Sequence, residues 1–169
     1  MDFIEEFKYQ SILRLNENTP RIEKCLELLA EQEVWQKPNP HSNAVGNLIM
    51  HLCGNITQYI ISCLGEKEDL RNRDYEFAMQ GGFTKSELLQ KLKQVIQEAK
   101  NIMVNLNQEK LLKVRVVQGF KLSGIGIIIH VVEHFSYHTG QISFYTKLLK
   151  NKDLGYYADQ NLNAKNKIC

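Results

Sequence analysis

Leu88, Leu92, Val95, Ile96, Ala99, Ile102, Met103 and Leu106 recur every three to four residues, with lysines and glutamates between them. That spacing predicts an amphipathic helix with one apolar stripe. Its start is marked by Thr84-Lys85-Ser86-Glu87, a capping box in which the threonine hydroxyl accepts from the third amide and the glutamate reaches back. A second apolar set, Val45, Leu48, Ile49, Leu52, Ile56, Tyr59, Ile60 and Cys63, predicts a helix capped by Ser42 or Asn43 and ending near Gly65. Phe3, Phe7, Leu15, Ile22, Cys25, Leu26 and Leu29 predict a first helical region, in which Pro20 imposes a kink or a break near Thr19. One long bent helix is the favoured reading. A last helix runs from about Gly124 to Leu149 behind a Ser123 cap.

Between these elements the pattern changes. Lys37 to Asn43 is a turn-rich linker, and all three prolines precede residue 41. The charged stretch from Glu66 to Phe77, followed by Gly81-Gly82, has no usable period and reads as a long ordered loop between helices 2 and 3. Val114 to Phe120 reads as extended, with a short hairpin as its simplest form. From Asn151 the chain is a polar, loosely held tail. The expectation is an all-α four-helix bundle over residues 1–150 with a polar C-terminal tail over 151–169.

Composition narrows the classes. At 169 residues and 43% hydrophobic content the chain fits one domain that buries a core without staples. The net charge of +2 comes from 21 basic and 19 acidic residues that are interspersed, so no basic stripe marks a nucleic-acid surface. Met1-Asp-Phe-Ile-Glu-Glu6 lacks a basic region followed by an apolar run, and the apolar stretch from Ile125 to Val132 is interrupted by Gly126 and His130. No membrane partner is expected, and the reading is a soluble, cytoplasmic protein. Cys25, Cys53, Cys63 and Cys169 form no Cys-x-x-Cys pair and read as free thiols, most of them small apolar fillers.

Three histidines carry the candidate chemistry. His134 and His138 are four residues apart, so on a helix they differ by about 40° around the axis and about 6 Å along it. Both imidazoles can reach one ion, and His51, in a separate apolar helix, can join them if that helix is a neighbour. Three protein ligands with open positions suit a catalytic divalent ion, whereas structural sites are closed by four. A histidine on an apolar face is also often a hydrogen-bonded core residue, and spacing alone leaves both readings open. His130, one turn before His134, reads as a core histidine or a neighbour of the ligands, and His41 as a solvated loop residue.

His134-Phe-Ser-Tyr-His138-Thr-Gly140-Gln141-Ile142 and Asn47-Leu-Ile-Met-His51-Leu-Cys-Gly-Asn55 resemble the motifs of the DinB-like (YfiT-like) metalloenzyme superfamily. Trp35-Gln-Lys-Pro-Asn39, Ser42-Asn43 and Arg71-Asn-Arg-Asp-Tyr-Glu-Phe77 resemble an uncharacterised branch of it, and the likeness covers most of residues 1–150. The resemblance implies a four-helix bundle in which His51, His134 and His138 bind one divalent metal ion, with Zn, Ni, Mn and Fe all admissible. It also implies a homodimer. Many relatives place Arg after the second histidine of the pair, where this chain has Thr139, so whatever that arginine does elsewhere is not carried over.

The superfamily includes metal-dependent thiol transferases, which implies a small-molecule substrate and a bacillithiol- or glutathione-type thiol transferred to an electrophile in detoxification. The alternatives are a metal-dependent hydrolase, or a non-catalytic dimeric bundle that binds a metal or small ligand. Glu133 suits a hydrolytic base by type but sits about 100° around the helix from His134. Asn55, Tyr59, His130, Tyr137 and Gln141 lie within one or two turns of a ligand and are candidates to support it by hydrogen bonds.

Overall fold

The structure is a computed structural model that describes residues 2–167. The chain is mostly helical, with one two-stranded sheet. Helix α1 spans Phe3–Leu28, α2 Glu31–Val34 and α3 Val45–Ile56, which continues directly as a π-helical segment over Thr57–Leu64. Then come α4 (Arg73–Ala78), α5 (Lys85–Val104), α6 (Gln108–Leu112), strands β1 (Val114–Val117) and β2 (Phe120–Ser123), and α7 (Gly124–Lys150). The four long helical segments pack cyclically, α1 on α7, α7 on α3, α3 on α5 and α5 on α1. Leu15, Ile22, Ile49, Leu52, Leu88, Leu92, Ile128 and Phe135 meet in the core between them. No described helix is long and apolar enough to cross a membrane.

Several local signals act as read. Glu87 N donates to Thr84 Oγ1 at 3.2 Å while Thr84 N donates to Glu87 Oε2 at 2.8 Å, closing the capping box. Ser123 Oγ accepts from Gly126 N at 3.1 Å and opens α7. Pro20 lies inside one continuous α1. Residues 114–123 form the hairpin, with Gln118 and Gly119 at positive φ of 50° and 84°, the pair of left-handed residues that a tight two-residue turn requires.

Four details differ from the sequence-based expectation. Neither Ser42 nor Asn43 caps α3: its cap is Ala44, whose amide donates to the side-chain oxygen of Asn47 at 3.2 Å, while Ser42 turns back onto Asn39. The stretch between α3 and α5 is not all loop, because α4 forms inside it on an Asn72 cap. The π-helical register after Ile56, seen in Gly65 N donating to Ile60 O, is not distinguished in the sequence, where Ile56, Tyr59, Ile60 and Cys63 also fit an ordinary α-helical stripe. The start of the tail is held: Leu154 is buried, and Tyr156 Oη donates to Arg21 O at 3.1 Å, because two apolar bodies there cover the α1–α7 seam. Cys25, Cys53 and Cys63 are free thiols, and Cys169 lies outside the described residues.

Candidate metal centre

The packing of α3 against α7 brings His51, His134 and His138 together, with one ligand nitrogen from each lying within 4.8 Å of the others. His51 and His138 are buried and His134 is half-buried. The Nε2 atoms of His51 and His134 are 2.9 Å apart. Two nitrogens bonded at about 2.1 Å to one ion at a right angle would be about 3 Å apart, so the spacing fits a shared divalent ion.

The outer ring nitrogens decide which atoms face inward. Nδ1 of His51 lies 2.9 Å from Glu76 Oε2, which can only accept, and 3.1 Å from Arg71 Nη2, which can only donate. Because that Nη2 already donates to Glu76 Oε2 at 2.9 Å, the assignment that satisfies the buried carboxylate puts the proton on Nδ1 and leaves the Nε2 lone pair facing the cluster. Nδ1 of His138 similarly faces Gln141 Oε1 at 2.7 Å. Carboxylate and amide partners of this kind fix tautomer and ring orientation in histidine metal sites. Burial lowers the His134 pKa to about 3, with further contributions from His138, His51, His130 and Arg71. Burial also lowers that of His138, against the opposing bond from Gln141. Both rings are therefore neutral near pH 7, the form that binds metal.

Glu76 is itself set by a dedicated frame. Burial pushes its carboxyl upward, but hydrogen bonds from Arg71 and His51 outweigh that and hold it below the usual range. Arg71 donates from Nε to Oε1 at 2.8 Å and from Nη2 to Oε2 at 2.9 Å, a two-pronged ion pair with both side chains buried. Asn47, wholly buried one turn before His51, donates from Nδ2 to the carbonyls of Glu76 and Met79 and pins α4 to α3. Gly54 provides the clearance: a Cβ there would lie 1.8 Å from Glu76 Oε1. Asn47, His51 and Gly54 fall at intervals of four and three residues, so one face of α3 carries the histidine, the clamp and the gap.

The remaining candidates sit around this cluster at different distances. His130 stacks on His134 with centroids 5.4 Å apart, and its Nε2 lies 3.3 Å from Asn55 Nδ2. Tyr59 stacks on His130 and donates its hydroxyl proton to Gln118 at the hairpin turn rather than to any of the three histidines. Tyr137 is largely exposed and meets His138 only edge-on at 5.0 Å. Glu133 and His41 are exposed and lie outside the cluster. Thr139 is buried and donates to Phe135 O within its own helix. Sequence reasoning passed over Asn47, Gly54, Arg71 and Glu76 as site residues. The available signals were a glycine and a buried-face asparagine in helical register with His51, and an Arg–Glu pair five residues apart in a charged stretch.

Comparison with known proteins agrees with this architecture. Residues 2–158 match the family described as "Protein of unknown function (DUF1572)", and the chain belongs to that family. No curated protein matches it. Among solved structures it is similar to a conserved protein from Enterococcus faecalis, with a TM-score of 0.75 and 17% identity over 90% of this chain and 99% of that one. It is also similar to the DinB-like protein YjoA from Bacillus subtilis, with a TM-score of 0.66 and 17% identity over 85% and 94%. A DinB-like protein from Bacillus cereus gives a TM-score of 0.61 and 14% identity over 82% and 89%. At these identities the likeness is one of fold.

Proposed function

We propose that this member of the DUF1572 family is a metal-dependent enzyme that transfers a low-molecular-weight thiol, of the bacillithiol or glutathione type, onto an electrophile. The observation that carries the reading is the set of three converging imidazoles, two of them with Nδ1 held by Glu76 and Gln141 so that Nε2 is directed inward. A divalent ion held by His51, His134 and His138 keeps its full charge, and when bound it favours the thiolate form of an added thiol near neutral pH.

The chain's own residues supply the frame. Glu76 keeps the His51 proton on Nδ1, and Arg71 offsets the carboxylate charge so that Glu76 is engaged rather than available as a base. Gln141 orients His138 in the same way. Cys53 and Cys63 are poor candidates for the nucleophile: burial pushes the Cys53 thiol up to about 12 and raises that of Cys63. This favours an exogenous thiol. The exposed position of Glu133 weighs against the hydrolytic alternative, which needs a carboxylate beside the bound water.

The protein is further proposed to be a homodimer. Tyr137, Phe144 and Leu148 are 61%, 71% and 66% exposed and lie on one face of α7, an apolar strip that a second copy would cover. The reaction is tested by assaying untagged, metal-loaded protein with several thiols and electrophiles. The expected result is transfer that disappears on chelation while the far-UV helical signal persists, since the packed core gives the fold its own stability. No transfer with any pair would overturn the reaction class, and loss of helicity on chelation would make the ion structural.

A further inference from the structure

Away from the three histidines, a cleft of about 650 Å³ lies between α1 and the segment Gly155–Gln160. Its size falls in the range of small-ligand pockets. The α1 wall presents Arg14, Asn18 and Arg21 in one row, at intervals of four and three residues, with Lys24 beside them.

The charges of this cleft are unbalanced. Arg14 pairs with Glu17 at 2.7 Å, but neither Arg21 nor Lys24 has a carboxylate within ion-pair distance among the described residues. Arg21 is nevertheless held firmly. Its guanidinium carbon lies 5.4 Å and 5.2 Å from the ring centroids of Tyr156 and Tyr157, and its Nη2 donates to Tyr157 Oη at 2.6 Å. Asn18 Oδ1 accepts a longer bond from Nη1 at 3.4 Å. The tyrosine strap is fixed from beneath: Tyr156 Oη donates to Arg21 O and lies 2.9 Å from Ser143 Oγ and 3.2 Å from the buried Cys25 thiol. These contacts use two of the five guanidinium N–H groups. Tyr157 accepts from Arg21 and keeps its own hydroxyl proton to give.

An oriented guanidinium with spare donors, an exposed ammonium that feels Asp153 without forming a close ion pair, and a free phenolic proton around one cleft match a doubly charged tetrahedral anion. We propose that this cleft binds a small phosphate monoester through Arg21, Lys24 and Tyr157, at a site separate from the three histidines.

The test is calorimetric titration of the full-length protein with phenyl phosphate, inorganic phosphate and benzoate at fixed ionic strength, repeated on Arg21→Gln and Lys24→Gln. Phenyl phosphate should bind with more affinity than benzoate, and each substitution should weaken it about tenfold or more, as expected for a lost charge-assisted bond. Lys24 is exposed, so K24Q keeps the fold and carries the test if R21Q does not. Metal content should be the same in K24Q as in the unmodified protein. Absence of phenyl phosphate binding at millimolar concentration, equal binding of benzoate, or binding unaffected by K24Q would each overturn the assignment.

Discussion

Glu76 is the residue on which the geometry of the candidate centre most depends. It fixes the tautomer of His51, and it reaches that ring only because Gly54 leaves room and Asn47 clamps α4. Glu76→Gln keeps the volume but removes the charge, and metal affinity is expected to fall about 10- to 100-fold, the usual cost of losing a partner behind a histidine ligand. Gly54→Ala should produce a similar fall by displacing Glu76, as measured by competition with a chelating dye. The histidines also set a pH dependence. His134 and His138 have lowered pKa values in the folded chain, so the unfolded state binds more protons below about pH 6.5. The metal-free protein should therefore be most stable above that pH. It should lose stability steadily as pH falls toward the folded His134 value of about 3, as followed by denaturant midpoints across the range.

At the scale of elements, what was legible was what depends on neighbours in sequence. The capping box at Thr84, the serine cap at Ser123 and the tight turn between Val117 and Phe120 each depend on contacts three or fewer residues apart, and each forms as read. Ser123→Ala should accordingly cost about 1 kcal/mol in chemical denaturation, because Gly126 N loses its acceptor at the start of the helix that carries two ligands. Helix α4 was not legible for the opposite reason. Its six residues bury only Glu76, and what holds that residue in place is Arg71 together with the amide of Asn47, 29 positions away. The π-helical segment hides similarly, since Ile56, Tyr59, Ile60 and Cys63 are spaced as an α-helical stripe would be. The His-x-x-x-His pair was visible because both residues share one helix, and His51 joined it through fold reasoning. The support behind His51 rested on a tertiary contact that no spacing encodes.

For the whole molecule, the cyclic packing of four long segments places a cluster of polar side chains inside an otherwise apolar core, His134 and His138 among them on the helix α7 that also carries an exposed apolar strip. If that strip is covered by a second copy, light scattering at micromolar concentration should give twice the 19.6 kDa chain mass, and Phe144→Glu should shift it toward the single-chain value. A single-chain mass for the unmodified protein would contradict the dimer. The central claim, that His51, His134 and His138 bind one divalent ion, is tested most directly by elemental analysis of untagged protein alongside four alanine variants. The expected result is close to one equivalent of a divalent metal per chain, lost on substituting His51, His134 or His138 and retained on substituting His41. Equal metal content in all four variants, or none in the unmodified protein after incubation with each of Zn, Ni, Mn and Fe, would contradict it.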